Sequence, residues 1–292
     1  MTRSFALLVN PASAGGRGLA VLPEVTVELD RLGASYRTIE TKSLEHAVDE
    51  ATAAAKTGET IAALGGDGFL RPVAGVLRDS PGALAVLPGG RGNDFARVLG
   101  VPGELAAAAR NAVQGVERLV DVAEVDGVPY IGIASLGFDS VANRIANEAK
   151  LVRGNLVYLY AALRAVASWK PATFTVTVDS ESRRLTGWTV GVANSKAYGG
   201  GMYGAPQAEL DDGKLDVVTV ARTPKRTFLF TLLPRVFKGA HLDLPFVQAD
   251  RGEVIKVDSD RPFDIYADGD PIGRTPATMR VRPRCLKVIV PE

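Results

Sequence analysis

The chain has 292 residues, enough for two domains of ordinary size, and 46% of them are hydrophobic against 23% charged, as in a globular protein with a substantial core. Its formal net charge of +1 excludes a bulk attraction to nucleic acid, so we expect no nucleic-acid partner. One cysteine, Cys285, and two histidines, His46 and His241, exclude a disulfide framework and a cysteine- or histidine-rich metal centre. This cysteine usage is typical of a cytoplasmic protein.

Residues 5–120 alternate short apolar runs with helical patterns, which predicts an open, largely parallel α/β sheet. Ser43 is the expected N-cap of an alanine-rich helix in this half. The predicted strands are 5–9, 35–40, 60–64 and 83–87, and the predicted helices are 17–32, 44–56, 69–78, 93–99 and 103–114.

From about residue 121 the pattern changes to short strands separated by Asp-Gly turns, which is typical of an antiparallel, β-rich domain of the sandwich kind. We therefore predict one domain over residues 1–121 and a second over 122–292. The predicted strands are 122–125, 130–135, 174–178, 186–193, 215–221, 254–257, 263–267, 278–281 and 286–290, and the predicted helices are 139–149 and 155–168.

Three glycine-rich stretches each follow a predicted strand of the first domain: 10–18, 65–68 and 88–94. Ligands of open α/β sheets bind outside the carboxyl ends of the strands, where glycine lets a phosphate approach the backbone. Each glycine taken alone also fits the simpler role of making a tight connection between a strand and a helix. Three such loops at one sheet edge favour a phosphate-binding site.

Carboxylates occur inside two of these loops, at Asp67 and Asp94. A carboxylate repels phosphate, so its presence there makes sense if it holds Mg²⁺, usually through water, or pairs with a nearby cation. Neither loop has the spacing of the nucleotide-binding P-loop, whose lysine is also missing.

The ordered motifs of the chain resemble the signature of the diacylglycerol kinase catalytic domain family, which includes bacterial diacylglycerol kinases and sphingosine and ceramide kinases. The motif at 65–68 alone is less specific, because NAD kinases are similar there. In order, the motifs are VNPAS at 9–13, GGDG at 65–68, GNDFA at 92–96, VDV at 120–122, IASLGFD at 133–139, GGGM at 199–202, AELDDGKLD at 208–216 and ADGD at 267–270.

The resemblance implies a kinase that transfers phosphate from ATP, with Mg²⁺, to a hydroxyl of diacylglycerol or a related sphingoid-like lipid. ATP would lie in a cleft between a nucleotide-binding domain, 1–121, and a β-sandwich lipid-substrate domain, 122–292. The residues that it assigns to the nucleotide are Asn10, Thr41, Gly65, Gly66, Asp67, Gly68, Phe69, Arg71, Gly90, Arg91 and Asn93.

The resemblance also implies roles for carboxylates. Asp67, Asp94 and Asp121 match residues that organise the catalytic Mg²⁺ and its waters, and Asp270 matches the base that accepts the proton of the substrate hydroxyl. A turn centred on Asp212 resembles a second, structural Mg²⁺ site. Its predicted ligands are Glu209, Asp212 and Lys214.

Five positions depart from the family pattern. Phe69, Arg71, Pro72 and Arg91 replace polar residues of the phosphate loops, and Asp270 stands where the family has glutamate. The two arginines either bind phosphate in place of lost hydroxyls or are solvated or paired with Asp67 and Asp94. An NAD-kinase-like enzyme and a nucleotide-binding regulator without turnover therefore remain alternatives.

A lipid substrate requires contact with a membrane surface, and no apolar run reaches the length of about 18 residues that a membrane helix needs. We therefore expect peripheral association with the membrane. Residues 225–241 combine apolar bulk with cations, so they form either an interfacial element or a core helix with cationic ends. An edge strand would allow a homodimer, although nothing in the sequence requires one.

Overall fold

Parallel strands joined by helices build the N-terminal half, as the alternating pattern predicts. The computed structural model describes residues 3–148 and 156–292. In chain order the elements of this half are β1 (Ser4–Val9), α1 (Ser13–Gly16), α2 (Gly18–Arg31), β2 (Ser35–Glu40), α3 (Leu44–Lys56), β3 (Thr60–Gly65), α4 (Asp67–Leu77), β4 (Ala83–Pro88), α5 (Asp94–Val98), α6 (Leu105–Gln114) and β5 (Val116–Val125).

The strand order β2-β1-β3-β4 sets the position of the glycine-rich loops, because all three pairings are parallel. Strands β3 and β4 are buried throughout, so both faces of the sheet are covered by helices. Val9 is in register with Leu64, and Gly65 with Pro88. The strands therefore end at one edge, which confirms that the three loops lie together.

Helix α3 illustrates how local sequence fixes an element boundary. The Ser43 side chain accepts a hydrogen bond from the backbone N–H of His46 at 3.1 Å, which confirms the predicted N-cap. Four alanines, Ala47, Ala51, Ala54 and Ala55, form the buried face of the helix. Their small side chains let the helix lie close against the sheet.

The C-terminal half is dominated by antiparallel strands, so the predicted fold class is confirmed for both halves. Its elements are β6 (Val128–Tyr130), β7 (Ile133–Gly137), α7 (Phe138–Glu148), α8 (Leu156–Ser168), β8 (Ala172–Val178), β9 (Glu181–Ala193), β10 (Leu215–Ala221), α9 (Lys225–Thr227), a π-helical turn (Phe228–Leu232), α10 (Leu233–Val236), β11 (Val247–Gly252), β12 (Val254–Ser259), β13 (Asp264–Ala267), β14 (Asp270–Arg274) and β15 (Ala277–Val290).

The two helices predicted in this half are confirmed within the described part of the chain. The predicted ends at residues 149 and 155 lie outside it. The strands run in the order β14-β13-β7-β9-β8-β12-β15, with β10 joining β9 to β11. Aromatic rings fill the core of this half, where Trp188 stacks on Phe228 with ring centroids 3.9 Å apart and Phe138 packs edge-on against both rings.

Two long strands, β5 and β15, join the halves. They pair antiparallel with each other, while Lys287 and Val288 of β15 pair parallel with β4. The last strand of the chain thus completes the N-terminal sheet, and the predicted boundary at residue 121 falls inside β5. The pairing shifts register between Arg282 and Leu286, where Arg284 has a φ of 46°. This irregularity explains why the sequence pattern predicts two strands where one continuous strand exists.

Two strands, β11 and β14, were missed by the sequence pattern. Strand β11 reads VQADRG and, among the described strands, pairs with β10 alone, so it is an edge strand. Three of its six residues are exposed, and it has no apolar alternation. Strand β14 contains Pro271 and Gly273, which weaken a strand prediction.

None of the helices in the described residues has the length and apolar composition that crossing a membrane requires.

Candidate active site

The three glycine-rich loops are connected by backbone hydrogen bonds. The amide of Ala14 in the first loop donates to the carbonyl of Gly89 in the third at 2.5 Å. The amide of Gly89 in turn donates to Gly65, in the second, at 2.9 Å. The loops therefore form one surface at the carboxyl edge of the sheet.

Two of the glycines are required by a close approach of the second and third loops. A Cβ at Gly90 would lie 2.5 Å from Gly66 Cα, and a Cβ at Gly66 would lie 2.9 Å from Gly90 Cα. Neither backbone has room to shift without moving a strand end. Gly66 and Gly90 therefore do make tight connections, and their close packing fixes the positions of the two loops that a ligand would contact.

A cleft of about 220 Å³ opens on this surface. It is lined by Asn10, Ala12, Ser13, Ala14, Gly15, Gly66, Gly68, Phe69, Gly89, Gly90 and Arg91. Helix α4 begins at Asp67, and its first amides point out of the helix without an intrahelical acceptor. Such amides, together with the helix dipole, attract an anion.

Six predicted nucleotide residues line this cleft: Asn10, Gly66, Gly68, Phe69, Gly90 and the exposed Arg91. The side chain of Phe69 is 4% exposed and packs against Gly65, so its main role is in the core. Asn93 closes the third loop instead, because its side chain accepts from Gly90 N at 2.7 Å and donates to Gly90 O at 3.0 Å.

Thr41 is placed apart from the cleft lining. Its side chain is buried and donates to the carbonyl of Val9 at 3.0 Å, while its own amide donates to the same carbonyl. Thr41 thereby fastens the end of β2 to that of β1. The nucleotide contact predicted for it stays a prediction.

Asp67 and Asp94 lie side by side at the edge of the cleft. The carboxylate of Asp67 accepts the amides of Asp94 at 3.1 Å and Phe95 at 3.0 Å, the first amides of α5. The carboxylate of Asp94 accepts the amide of Gly200 at 2.8 Å and pairs with Arg97 at 2.6 Å. The second and third loops are therefore joined by charged side chains as well as by their backbones.

Burial raises the pKa of Asp94, and the neighbouring carboxylate of Asp67 raises it further. A divalent cation near the pair would relieve this repulsion. Each carboxylate oxygen has two lone-pair directions, so both groups retain acceptor capacity for metal-bound water. The chemistry of Asp67 and Asp94 thus fits a Mg²⁺ ion that the two carboxylates could hold through water.

Asp270 lies beside the first turn of α4. A Cβ at Gly68 would be 3.2 Å from Asp270 Oδ2, and Arg71 Nη2 donates to the same oxygen at 3.3 Å. Arg71 therefore pairs with Asp270, and not with Asp67 or Asp94 as one alternative proposed. Its own side chain is only 13% exposed, whereas that of Asp270 is 44% exposed and reaches solvent at the mouth of the cleft.

Asp121 belongs to a different cluster from Asp67 and Asp94. Its buried carboxylate accepts the amides of Gly213 and Arg284, both at 2.7 Å. Burial raises its pKa, with further contributions from Asp211 and Asp212. Asp121 therefore lies at the predicted second metal site, where its carboxylate connects the turn around Asp212 to β15.

Two side chains of that turn, Asp212 and Lys214, already have oppositely charged partners. Arg251 pairs with Asp212, and Lys214 Nζ lies 2.8 Å from Glu253. The described residues contain no group of three or more histidine, cysteine or acidic side chains arranged to hold a metal. The turn offers a metal its backbone carbonyls and the exposed Glu209, so the structural Mg²⁺ stays a prediction.

One residue that the site assignments omitted is Asp268. Its carboxylate accepts the amides of Ile131 at 3.0 Å and Gly132 at 2.9 Å, at the start of β7. Burial raises its pKa to about 7, and the nearby charge of Asp67 contributes. Its φ of 55° places it in a left-handed turn that presents Asp270. The dipeptide Asp268-Gly269 predicts this turn, but the sequence does not indicate which amides the carboxylate of Asp268 contacts.

Arg97 and Gly200 were also missed. Arg97 neutralises Asp94, and the loop around Gly200 reaches it from the C-terminal half. The positive φ of Gly199, Gly200 and Gly201 explains this glycine run, since a non-glycine residue rarely adopts that conformation. The contact of Gly200 with Asp94 spans 106 residues of sequence, which no local pattern predicts, whereas Arg97 is only three residues from Asp94.

Fold and site together define a two-domain protein whose glycine-rich cleft is lined by the α/β half, with Asp67 and Asp94 beside it and Asp270 of the antiparallel half next to the first turn of α4. Residues 4–125 match the family model of the diacylglycerol kinase catalytic domain, and residues 132–290 match that of the YegS C-terminal NAD kinase beta sandwich-like domain.

The curated relatives agree with these models. A diacylglycerol kinase of Mycobacterium tuberculosis (strain ATCC 25618 / H37Rv) is 31% identical over 295 residues, covering 98% of this chain and 94% of the relative. A protein of Pseudomonas fluorescens named as a YegS-like lipid kinase is 33% identical over 258 residues, covering 87% of this chain and 84% of the relative. The chain therefore belongs to the diacylglycerol kinase family of lipid kinases.

A solved structure supports the fold. A diacylglycerol kinase of Bacillus anthracis strain Sterne matches with a TM-score of 0.77 and 21% identity, covering 99% of this chain and 97% of that one. At this identity the likeness bears on the fold alone.

Proposed function

We propose that the protein is an ATP- and Mg²⁺-dependent lipid kinase that phosphorylates a hydroxyl of diacylglycerol or of a related, sphingoid-like lipid. The observation that carries the proposal is the placement of Asp67, Asp94 and Asp270 around the start of α4, where the glycine-rich loops meet. Amide donors, a carboxylate pair suited to a cation and a separate carboxylate at the cleft mouth are the parts that phosphoryl transfer requires.

The loops would hold the triphosphate. Gly66 and Gly68 lie at the N-terminal end of α4, where amides and helix dipole favour anions, and Gly90 lies directly against them. Arg91 is exposed on the cleft lining and supplies a guanidinium that can pair with phosphate oxygens. Rigid contacts between the loops mean that little reorganisation is needed when the ligand binds.

Asp67 and Asp94 would hold Mg²⁺ through its waters. When bound, the ion neutralises charge on the phosphates and orients them for in-line transfer. Asp67 also fixes the first turn of α5 through its two amide contacts, so the carboxylate pair is positioned before any ligand arrives.

Asp270 would accept the proton of the lipid hydroxyl. Its carboxylate is half exposed at the cleft mouth, where an acceptor can approach, and Arg71 orients it. The hydroxyl oxygen attacks the terminal phosphorus, the bond to the bridging oxygen of ATP breaks, and ADP leaves with its electron pair.

The same Arg71 contact supports a second candidate, a nucleotide-binding regulator without turnover. A guanidinium within hydrogen-bond distance of Asp270 occupies a carboxylate oxygen that a substrate hydroxyl would otherwise contact. In that case the protein would bind Mg·ATP and transfer nothing.

Transfer of labelled phosphate from Mg·ATP to a panel of lipids tests these candidates. The panel contains diacylglycerol, sphingosine and ceramide, with NAD as the acceptor of an NAD-kinase-like enzyme. Label in a lipid product supports the proposal, and label in NAD contradicts it. Saturable ATP binding with no labelled product would support the regulator.

A further inference from the structure

The helical segment formed by α9, the π-helical turn and α10 has one face in the core. Phe228, Leu232 and Val236 are 2%, 2% and 7% exposed, and Phe228 stacks on Trp188. This face anchors the segment to the C-terminal half. The core role that the sequence left open for residues 225–241 is therefore confirmed for this side of the segment.

The opposite side exposes large apolar rings. Phe230 is 76% exposed and Phe237, seven residues later, is 57% exposed. Phe230 lies in the π-helical turn and Phe237 directly follows α10, so both exposed rings belong to one short segment whose other face is buried. Exposing two phenylalanine rings to water is unfavourable, and burying them against an apolar phase stabilises binding.

Cations surround these rings. Lys225, Arg226, Arg235 and Lys238 are all exposed, and the sequence from Arg222 to Leu242 contains no carboxylate. In the described part of the chain none of the four cations forms an ion pair; the Lys225 ammonium donates instead to the carbonyl of Ala167 at 2.7 Å. A local excess of positive charge therefore stands out in a chain with a net charge of only +1.

We propose that this surface, which we call the docking face and define as Lys225, Arg226, Phe230, Arg235, Phe237 and Lys238, binds the surface of an anionic phospholipid bilayer. Aromatic rings enter the boundary between headgroups and acyl chains, and the surrounding cations pair with anionic headgroups. An acidic protein would satisfy the charges but leave the two rings in water.

The docking face is structurally continuous with the candidate active site. The amide of Tyr203 donates to the carbonyl of Val236 at 3.0 Å, and His241 Nε2 lies 3.1 Å from the carbonyl of Gly204. The same loop includes Gly200, whose amide contacts Asp94. The loop at residues 200–204 therefore connects the segment that carries the docking face to Asp94.

A cavity of about 450 Å³ adjoins the other end of the docking face. Its lining includes Trp169 and Trp188 as well as Lys225. If the protein is the lipid kinase proposed above, the docking face is the surface on which it meets its lipid acceptor. Binding of this face to a bilayer does not depend on nucleotide binding.

Co-sedimentation of the full-length protein with lipid vesicles tests the docking face without nucleotide. Vesicles of phosphatidylcholine alone are compared with vesicles that also contain phosphatidylglycerol. Phe230→Ser/Phe237→Ser is the test variant. Leu19→Ser/Leu44→Ser, at residues of the N-terminal half that are 42% and 45% exposed, is the matched control. Circular dichroism verifies that each variant is folded.

We expect the parent and the control to bind phosphatidylglycerol vesicles and the test variant to bind at least about tenfold more weakly. Added salt should weaken binding of the parent, because it screens the cations. Replacing Arg226, Arg235 and Lys238 by Gln should have the same effect, whereas replacing the exposed Lys42 and Lys56 should have none.

Equal binding of parent and test variant, or absence of parent binding, would overturn the proposal. So would light scattering that shows a dimer dissociated by the two serine substitutions, since the rings would then cover a second copy of the chain. Loss of vesicle binding together with retained transfer to a detergent-dispersed lipid supports the docking face, whereas failure of transfer alone bears only on the kinase proposal.

Discussion

Arg71 Nη2 lies 3.3 Å from Asp270 Oδ2, so the helix that follows the second glycine-rich loop is tied to the turn that carries the proposed base. One partner comes from each half of the molecule. The contact makes the position of Asp270 depend on both halves. The contact also connects two departures from the family pattern, because Arg71 and the shorter carboxylate of Asp270 pair with each other.

Asp270→Asn should lower kcat by about 100-fold or more while leaving ATP affinity within about threefold, because an amide cannot accept the hydroxyl proton. Steady-state transfer to diacylglycerol and calorimetric titration with Mg·ATP measure the two quantities. Asp264→Asn is the matched control, since Asp264 is an exposed carboxylate on the adjoining strand β13. An unchanged kcat in Asp270→Asn would remove the residue as the base.

Asp67 has two roles that separate variants can distinguish. Asp67→Asn keeps one of the two oxygens that accept the amides of α5 and loses the charge that attracts Mg²⁺, so kcat should fall by about 100-fold or more while Tm falls less than in Asp67→Ala. Asp67→Ala should also destabilise the fold by about 1–3 kcal/mol, because it leaves two amides without an acceptor.

Asp49→Asn, on the exposed side of α3, should change neither activity nor Tm. Full activity of Asp67→Asn at limiting Mg²⁺ would contradict the assignment of Asp67 to the metal.

Gly90→Ala should destabilise the protein by about 1–3 kcal/mol and weaken ATP binding at least about tenfold, since its Cβ would collide with Gly66. Thermal unfolding and calorimetry measure both effects. Gly103→Ala has no atom within 4 Å of its added Cβ and should be neutral. A Gly90→Ala variant with the Tm and ATP affinity of the parent would contradict the close packing of the loops.

Asp268 makes stability depend on pH. Burial raises its pKa to about 7, so the folded protein holds a proton that the unfolded chain releases near pH 4. The stability contributed by this carboxyl is therefore complete below about pH 4 and declines as the pH rises to about 7.

Asp268→Asn cannot titrate. From pH 4 to 7, its free energy of unfolding should improve relative to that of the parent, and the difference should be constant above pH 8. Chemical denaturation across this range measures it. Asp126→Asn, in a turn with the same left-handed conformation, is the control and should show no such trend. A difference independent of pH would contradict the raised pKa of Asp268.

The sequence predicts those parts of the site that local physics determines. Glycine runs after buried strands place three loops at one edge, because parallel strands end together, and Ser43 caps α3 through a contact three residues away. The sequence does not predict contacts between segments that are far apart in the chain. Arg71 and Asp270 are separated by 199 residues, and no periodicity indicates that the guanidinium meets this carboxylate and not Asp67.

The same limit applies to Asp121 and Asp268. Both are aspartates in recognisable motifs, but their partners lie on strands that pair only in the folded protein. Strand β11 was missed for the opposite reason, since its stability comes from the backbone of β10 and not from an apolar face of its own. Residues 225–241 were left with two interpretations because the segment has a buried side and an exposed side at once.

A crystal structure with Mg²⁺ and a non-hydrolysable ATP analogue tests the central claim most directly. We expect the phosphates within hydrogen-bond distance of the amides at Gly66–Gly68, against Gly90, and the metal bridged by water to Asp67 and Asp94. A nucleotide bound elsewhere, with this cleft unchanged, would contradict the claim.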